Sequence, residues 1–463
     1  MPDSTHALVI GGGISGLVCA WRLQQLGVHT TLLEAESRSG GLVGTVEQDG
    51  FLFESGPQSF LGTEALLQLI RDVGIESELC QANPRAPRFI LRHGKLCKIP
   101  MSPALLTSSL LGARSRWKIV SEPFRRTRPP SREESVSEFV RRKFGNEILE
   151  YLVAPFISGV YAGDPEKLSL RAVFPSLEEW EREYGSVFRG AIRSRPAKPE
   201  GARKGPPPLC SFQRGVETLT RTLAAKLGDN LSLKTRANAL SAQPGGERRI
   251  YQVSVVRNNR DEKLQASAVV LATPAHVASR LAAPLSQALG SMLSGIVYAA
   301  VGVVAAGYYA RQTGQSIDGF GFLIPRAEKV RTLGTVWNSS LFPGRAGDGR
   351  VALTSFIGGA TDPEAVNKPA DVIAAIVERE NAKILEISGP PITTSVWKHP
   401  KALPQYNLGH GHIVEAIREA ERAIPGLFFS GNYLHGPSLG KCVEQALETA
   451  ETVHAYLHAK GNP

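Results

Sequence analysis

Cysteine is scarce in this chain of 463 residues, and what there is of it is scattered. Cys19, Cys80, Cys97, Cys210 and Cys442 form no CxxC pair and have no histidine at ligand spacing. That argues against a zinc site and a disulfide framework, and for a reducing compartment. A secretory leader is also missing: MPDSTHALVIGGG has no basic region and an apolar run of only four residues. Nor is there an uninterrupted membrane span. Residues 281–310 carry no charge, but Pro284, Gln287 and several glycines break them up, and IVYAAVGVVAAGYY is β-branched. The pattern predicts a buried strand after a helix. With 42% hydrophobic and 21% charged residues, disorder, coiled coil and collagen-like repeats are excluded. The length predicts two or three domains. The net charge of +10 is local: between Arg85 and Gly145 fifteen Lys/Arg face four Glu, so the rest of the chain is close to neutral.

The first forty residues carry the sharpest signal. An apolar run, His6 to Ile10, leads into Gly11-Gly12-Gly13-Ile14-Ser15-Gly16, a helical pattern follows to Gly27, and Val28 to Leu33 is strand-like and ends in Glu34-Ala35. This is a βαβ unit with GxGxxG and an acid about twenty residues on. Gly11 permits the tight turn, Gly13 lets the backbone approach a pyrophosphate, and Gly16 lets the helix pack on the strand. The helix N-terminus attracts the phosphates, and Glu34 accepts from ribose hydroxyls. These residues alone leave NAD and FAD open. Beyond them the chain carries Arg38, Gly40-Gly41-Leu42, a hairpin pattern (Thr45-Val46, Gly50 to Phe53) and Gly56-Pro57-Gln58-Ser59. This resembles the extension of the amine oxidase and protoporphyrinogen oxidase flavoproteins, in which a Gly-Pro turn lies beside the flavin. Leu42 stands where many of those enzymes have Arg, so no phosphate contact by an Arg side chain carries over.

Arg88 to Gly112 joins strand-like RFILRHGKLCKIP to apolar MSPALLTSSLLG, with basic residues on both flanks. Two readings fit: an amphipathic element on an anionic membrane, or a solvated helix over the core. Nucleic acid is not supported by any aromatic-interleaved basic run. Ser135 to Glu138 is a capping box opening a helix, and a second helix is predicted from Asn146 to Val153. Phe156 to Pro165, with two glycines and Asp-Pro, reads as a loop, and Ser194 to Pro208 as a surface linker. Strands return at Leu231 to Ala237, Ile250 to Val256 and Ala268 to Leu271, predicting that the nucleotide domain resumes after an insertion. Ile296 to Phe356 reads as an antiparallel sheet walling an apolar pocket. Gly426 to Asn432 is a strand entering a glycine turn at Gly431-Asn432, with a closing helix from Cys442 to His458.

SGVYAGDPEKLSL (158–170), GFGFLIP (319–325), TLGTVWNSSLFPGR (332–345) and SGNYLHGPSLGKCVEQA (430–446) make the chain resemble the protoporphyrinogen oxidase family. The resemblance implies an α/β fold in which a Rossmann-type FAD-binding domain is assembled from discontinuous segments. Its expected pieces are 1–85, 208–275 and 402–463, with a helical, basic, membrane-binding insertion at 86–207 and a mixed-sheet substrate domain at 276–401. It implies FAD, a porphyrinogen substrate oxidised by six electrons in three steps, oxygen as final acceptor, and peripheral attachment to the cytoplasmic side of an anionic membrane. Hand-over to the next haem-pathway enzyme and a homodimer are compatible with it. Arg88 matches an arginine that pairs with a substrate propionate, unless it is one more charge of the basic segment. Leu323, Val336 and Phe356 match positions lining the macrocycle, and Gly159, Tyr161 and Gly163 lie in a segment beside the substrate. Trp397, Val443 and Ala237 match positions around FAD, and Gln58 stands where some relatives have Asn. No catalytic acid or base stands out; His276, His399, His410 and His435 are candidates by residue type only. Coproporphyrinogen, with four propionates, is the alternative substrate, and an amine oxidase or carotenoid desaturase a more distant one. A non-enzymatic flavin scaffold would require a blocked pocket.

Overall fold

The computed structural model describes residues 6–100, 110–194, 206–243 and 249–459. Five parallel strands carry the glycine turn, in the order Leu231–Ser232, Thr30–Leu33, Ala7–Ile10, Ala268–Leu271, Leu427–Phe429. The central pair, Ala7–Ile10 and Ala268–Leu271, is buried at every position, which is why both read as unbroken apolar runs. Helices Ile14–Gln25 and Leu439–His458 pack on one face of the sheet through Leu17, Leu23, Val443, Ala446 and Val453. The other face is covered by an antiparallel sheet of Thr235–Gln243, Ile250–Arg257 and Arg260–Ala266, and by helix Ala275–Ala282. Strands from the beginning, middle and end of the chain thus meet in one layer.

A second sheet of seven strands has the order Thr393–Pro404, Tyr298–Tyr309, Arg350–Gly358, Thr332–Trp337, Gly321–Leu323, Arg88–Arg92, Lys95–Lys98 among the described residues. All its pairings are antiparallel except Gly321–Leu323 with Arg88–Arg92. The strand-like run that begins at Arg88 is sheet, in strands Arg88–Arg92 and Lys95–Lys98. The uncharged stretch takes up the end of helix Ala275–Ala282, then helix Gln287–Ser294 and the buried strand Tyr298–Tyr309. No described helix is long and apolar enough to cross a membrane.

Residues 110–194 are mainly helical. The capping box is present in full: the Ser135 hydroxyl accepts from Glu138 N, and the Glu138 carboxylate accepts from Ser135 N. Asn146–Ile148 is α-helical, but Leu149–Val153 widens into a π-helix. Part of the basic excess is neutralised inside this unit. Lys143 Nζ lies 3.1 Å from Glu122 and 3.0 Å from Glu181, and Arg142 bridges Glu134 and Glu181. Burial would raise the Glu181 carboxyl, but hydrogen bonds from Arg142, Thr127 and Lys143 outweigh it and hold the group at about 2. The apolar run 101–109 and residues 195–205 of the expected linker lie outside the described residues.

One local expectation is corrected. Phe156 to Tyr161 is not a loop but the end of helix Ala154–Tyr161, which stops at Ala162 in the left-handed region. Its glycine is there for packing: a Cβ on Gly159 would come within 2.7 Å of Leu323 Cδ2. Only Gly163 to Pro165 continues as irregular chain.

Candidate active site

Each glycine of the first turn has its own cause. Gly11 has φ +110, and a Cβ there would stand 2.5 Å from Ala272 O. A Cβ on Gly16 would stand 1.8 Å from Gly11 O, so helix Ile14–Gln25 can meet the strand only without it. Gly13 differs: a Cβ would meet nothing within 4 Å, because the residue faces an open cavity. No side chain caps the helix start at Gly13, so its first N–H groups remain available to a ligand. Glu34 lies on the cavity wall with Oε2 accepting from Gly12 N at 2.6 Å and Oε1 from Glu36 N at 2.8 Å. Ile14, Ser15 and Ala35 also line it.

The next wall is built from Gly40, Gly41, Leu42 and the turn Gly56 to Ser59. Arg38 latches the double glycine by donating to Gly41 O at 2.7 Å and Val43 O at 2.9 Å. Leu42 contributes backbone: its carbonyl lies 2.0 Å from where a Gly56 Cβ would be. The amide of Gln58 is committed to structure. Nε2 donates to Glu54 O and Gly56 O, and Oε1 accepts from Asn338 Nδ2 at 2.8 Å. Beneath the turn, buried Arg345 lies 3.3 Å from buried Glu54 and donates to Ser211 Oγ and Phe212 O, tying the hairpin to strand Leu209–Phe212. Ala237 reaches the cavity at a bulge, and Gly431 and Asn432 line it beside helix Leu439–His458.

The same cavity, about 1860 Å³, runs on into an apolar compartment. Leu323, Val336 and Phe356 project into it from neighbouring strands, faced by Gly159 and Tyr161 of helix Ala154–Tyr161. Gly321 sits at φ +126 where a Cβ would be 2.0 Å from Thr335 O, and the register of these strands pairs Val336 with Gly321 and Leu323 with Gly334, which puts Leu323 and Val336 diagonally on one face. Arg88 pairs with Gly321 in the register, and its guanidinium lies over Phe320, 5.1 Å from the ring centre. The register thus brings Arg88 to the rim of the apolar compartment. Val136, Phe139, Phe156, Phe174 and Phe188 continue the wall into the helical unit.

Gly12, Gly16, Gly163, Trp397 and Val443 do not form part of the cavity wall. Gly163 packs against Leu168 and Gln405, Trp397 pairs with Val303 within the sheet, and Val443 lies in the core under the parallel strands. Lining residues that sequence reasoning did not select include Thr273, Tyr298, Lys401 and Tyr406. The sequence shows Ala272-Thr273-Pro274 closing a strand, and that strand's place beside the first is what brings Thr273 to the cavity. His399 and His435 line the main cavity, while His276 and His410 do not. No described group of three His, Cys, Asp or Glu is placed to hold a metal ion.

These residues fit FAD. Gly13 leaves the wall open where a side chain would fill it, the uncapped helix offers N–H groups, and the buried Thr273 hydroxyl on the wall lacks a hydrogen-bond partner. Comparison with known proteins agrees. Residues 14–454 match the family described as flavin containing amine oxidoreductase. A chloroplastic protoporphyrinogen oxidase of Nicotiana tabacum is 36% identical over 97% of this chain and 85% of its own length. A coproporphyrinogen III oxidase of Bacillus subtilis (strain 168) is 27% identical over 98% of each. The crystal structure of a proposed protoporphyrinogen oxidase from Exiguobacterium sp. 255-15 superposes with a TM-score of 0.81 at 25% identity, covering 98% of this chain and 99% of that one.

Proposed function

Because the chain belongs to the flavin containing amine oxidoreductase family and is an FAD-dependent oxidoreductase, we propose that it oxidises protoporphyrinogen IX to protoporphyrin IX, with oxygen taking the electrons as hydrogen peroxide. One observation carries this reading: the glycine-lined half of the cavity opens directly into an apolar compartment with Arg88 at its rim. Bound FAD supplies the hydride acceptor. The chain's residues hold the substrate: Leu323, Val336 and Phe356 desolvate the macrocycle, and Arg88 pairs with a propionate through its planar fork. Gly11, Gly13 to Ser15, Glu34, Gly40 to Leu42, Gly56 to Ser59, Ala237 and Gly431-Asn432 hold the cofactor. Burial of a largely apolar ring in a preformed pocket supplies binding energy, and the charged contact orients it. The residue spans expected for the cofactor, substrate and membrane-binding units stand as part of this proposal. The seven-stranded sheet also takes in Arg88–Arg92 and Lys95–Lys98.

A second reading, coproporphyrinogen, draws support from Arg280 and Lys401, which also line the cavity. The test is porphyrin fluorescence from purified holoenzyme given each porphyrinogen separately. The expected result is a kcat/KM about tenfold or more higher for protoporphyrinogen, corresponding to ~1.4 kcal/mol. The reverse order replaces it with coproporphyrinogen, and no fluorescence from either overturns both.

Peripheral attachment to an anionic lipid surface belongs to the same proposal. Trp117, Phe124 and Ile192 are 71%, 80% and 70% exposed. They stand on helix Ala113–Ser121, on the turn that follows it, and on helix Val187–Arg193, which packs against that turn. Arg114, Lys118 and Arg193 lie on the same elements. Exposed large apolar groups among cations suit insertion at a headgroup layer. Replacing Trp117, Phe124 and Ile192 together by Ser should weaken cosedimentation with phosphatidylglycerol vesicles at least about tenfold, since each buried side chain is worth about 1.5–3 kcal/mol. Unchanged sedimentation would remove the membrane reading.

A further inference from the structure

A smaller cavity of about 320 Å³ lies against the main one. The two share Ala172, Pro175, Tyr406 and His435 as a common wall. The outer rim of the smaller cavity carries Arg171, Glu415 and Arg418, whose side chains are more than half exposed, so it faces solvent. On its inner side His410 is only 4% exposed, and its Nε2 has no hydrogen-bond partner. The His410 ring is held by the Tyr433 backbone and stands edge-on to Tyr406, whose hydroxyl donates to Asn432 O. A buried, unpartnered imidazole nitrogen in a polar recess is a site for water or a proton.

The proposed reaction needs such a place. In each two-electron step a C–H bond of the substrate breaks and its electron pair leaves as hydride to FAD. A proton is released as well: over the three steps two come from N–H bonds, whose pairs close C=N bonds, and one from the remaining bridge C–H, whose pair closes a C=C bond, so four bridge carbons and two nitrogens each lose one hydrogen. An apolar compartment cannot retain that proton as a free charge, so a base on its wall must take it. Among the lining side chains, Glu34 accepts from two backbone N–H groups beside the glycine turn, and Glu36 lies 3.8 Å from Arg236. Arg88, Arg280, Lys401 and Lys441 are cations. Tyr161, Tyr298, Tyr406 and Cys442 also line the cavity, but burial raises each of them, and a neutral phenol or thiol is a poor proton acceptor; two histidines remain. His399 Nε2 is engaged with Ser55 O at 2.7 Å, whereas His435 is the one placed on both cavities.

We propose that His435 accepts the proton released at each two-electron step and passes it through the smaller cavity, by way of water and His410, to solvent. This rests on the porphyrinogen reading of the main site. The groups around His435 favour a neutral ring that can accept. Burial, Arg418 and Lys441 hold it below the ordinary histidine range, and Glu448 opposes them. Burial, together with His435 itself, likewise holds His410 down, against the Tyr433 backbone and Glu133.

The experiment compares His435→Gln, His410→Gln and His399→Gln holoenzymes, with His454→Gln, in the last turns of helix Leu439–His458 and on neither cavity, as control. Three readouts are taken anaerobically: flavin bleaching on mixing with protoporphyrinogen, proton release to a pH-indicator dye, and titration of labelled histidines by NMR. His435→Gln should bind FAD normally, bleach about a hundred-fold more slowly at neutral pH, and lose the acid limb of the rate profile. His410→Gln should delay dye response behind bleaching, and the control should match wild type. Wild-type bleaching and pH profile in His435→Gln, or loss of the acid limb in His399→Gln instead, would overturn the route while leaving the substrate assignment intact. A His435 that NMR finds protonated throughout the neutral range would also overturn it. A wild-type enzyme that is not bleached by any porphyrinogen overturns the function and the route together.

Discussion

Gly13→Val should give a folded protein without flavin colour, while Gly16→Val should scarcely fold. Gly13 has φ −70 and ψ 178, an extended conformation that valine adopts freely, and no atom lies within 4 Å of the new Cβ. The fold therefore tolerates the side chain, which instead occupies the space where the pyrophosphate must approach the backbone. The expected loss in FAD affinity is at least about a hundred-fold, or ~2.7 kcal/mol. At Gly16 the same atom would lie 1.8 Å from Gly11 O and push the helix off the strand. Absorbance of the purified proteins and thermal unfolding of the apo forms separate the two outcomes. Full flavin occupancy in Gly13→Val would refute the assignment of this turn.

Arg88→Ala should lower kcat/KM for protoporphyrinogen by about ten- to a hundred-fold with FAD content unchanged. A charge-assisted pair with a propionate is worth about 1.5–3 kcal/mol, and Arg88 sits on the substrate compartment, not on the glycine-lined half. If the contact is made equally before and during hydride loss, KM rises and kcat holds; if it also sets the angle of the ring, kcat falls as well. Arg88→Lys should restore part of the loss, because the charge survives but the fork does not. Steady-state kinetics equal to wild type in Arg88→Ala would assign orientation to Leu323, Val336 and Phe356 alone.

Local signals were legible where a single segment contains its own cause. The turn from Gly11 to Gly16, the Ser135 capping box and the apolar run Ala268–Leu271 show in spacing and composition, so they were legible in the chain, although the carbonyl that demands glycine at Gly11 belongs to distant Ala272. Most strands of the second sheet could likewise be seen in their β-branched and small residues, though not the edge strand Thr393–Pro404, with its lysines, histidine and prolines. Their partners could not. That Arg88–Arg92 lies parallel to Gly321–Leu323, and so puts Arg88 on the substrate rim, is decided by backbone pairing between distant segments. Periodicity contains no information about such pairing.

The same limit explains the segment ending at Tyr161. Two glycines and Asp-Pro predicted a loop, but helix Ala154–Tyr161 persists because its apolar face packs on the cavity and Gly159 makes room for Leu323. Tertiary packing overrode local propensity there. Four histidines were equivalent as letters. Only the fold puts His435 on a wall shared by two cavities, ties His399 to Ser55 O, and buries His410 with one nitrogen unpartnered. Sequence determined that a dinucleotide turn exists and what chemistry its cofactor brings. The long-range packing of sheet, helices and glycine turns decided which side chains meet that cofactor, because proximity between distant segments is a property of the folded chain alone.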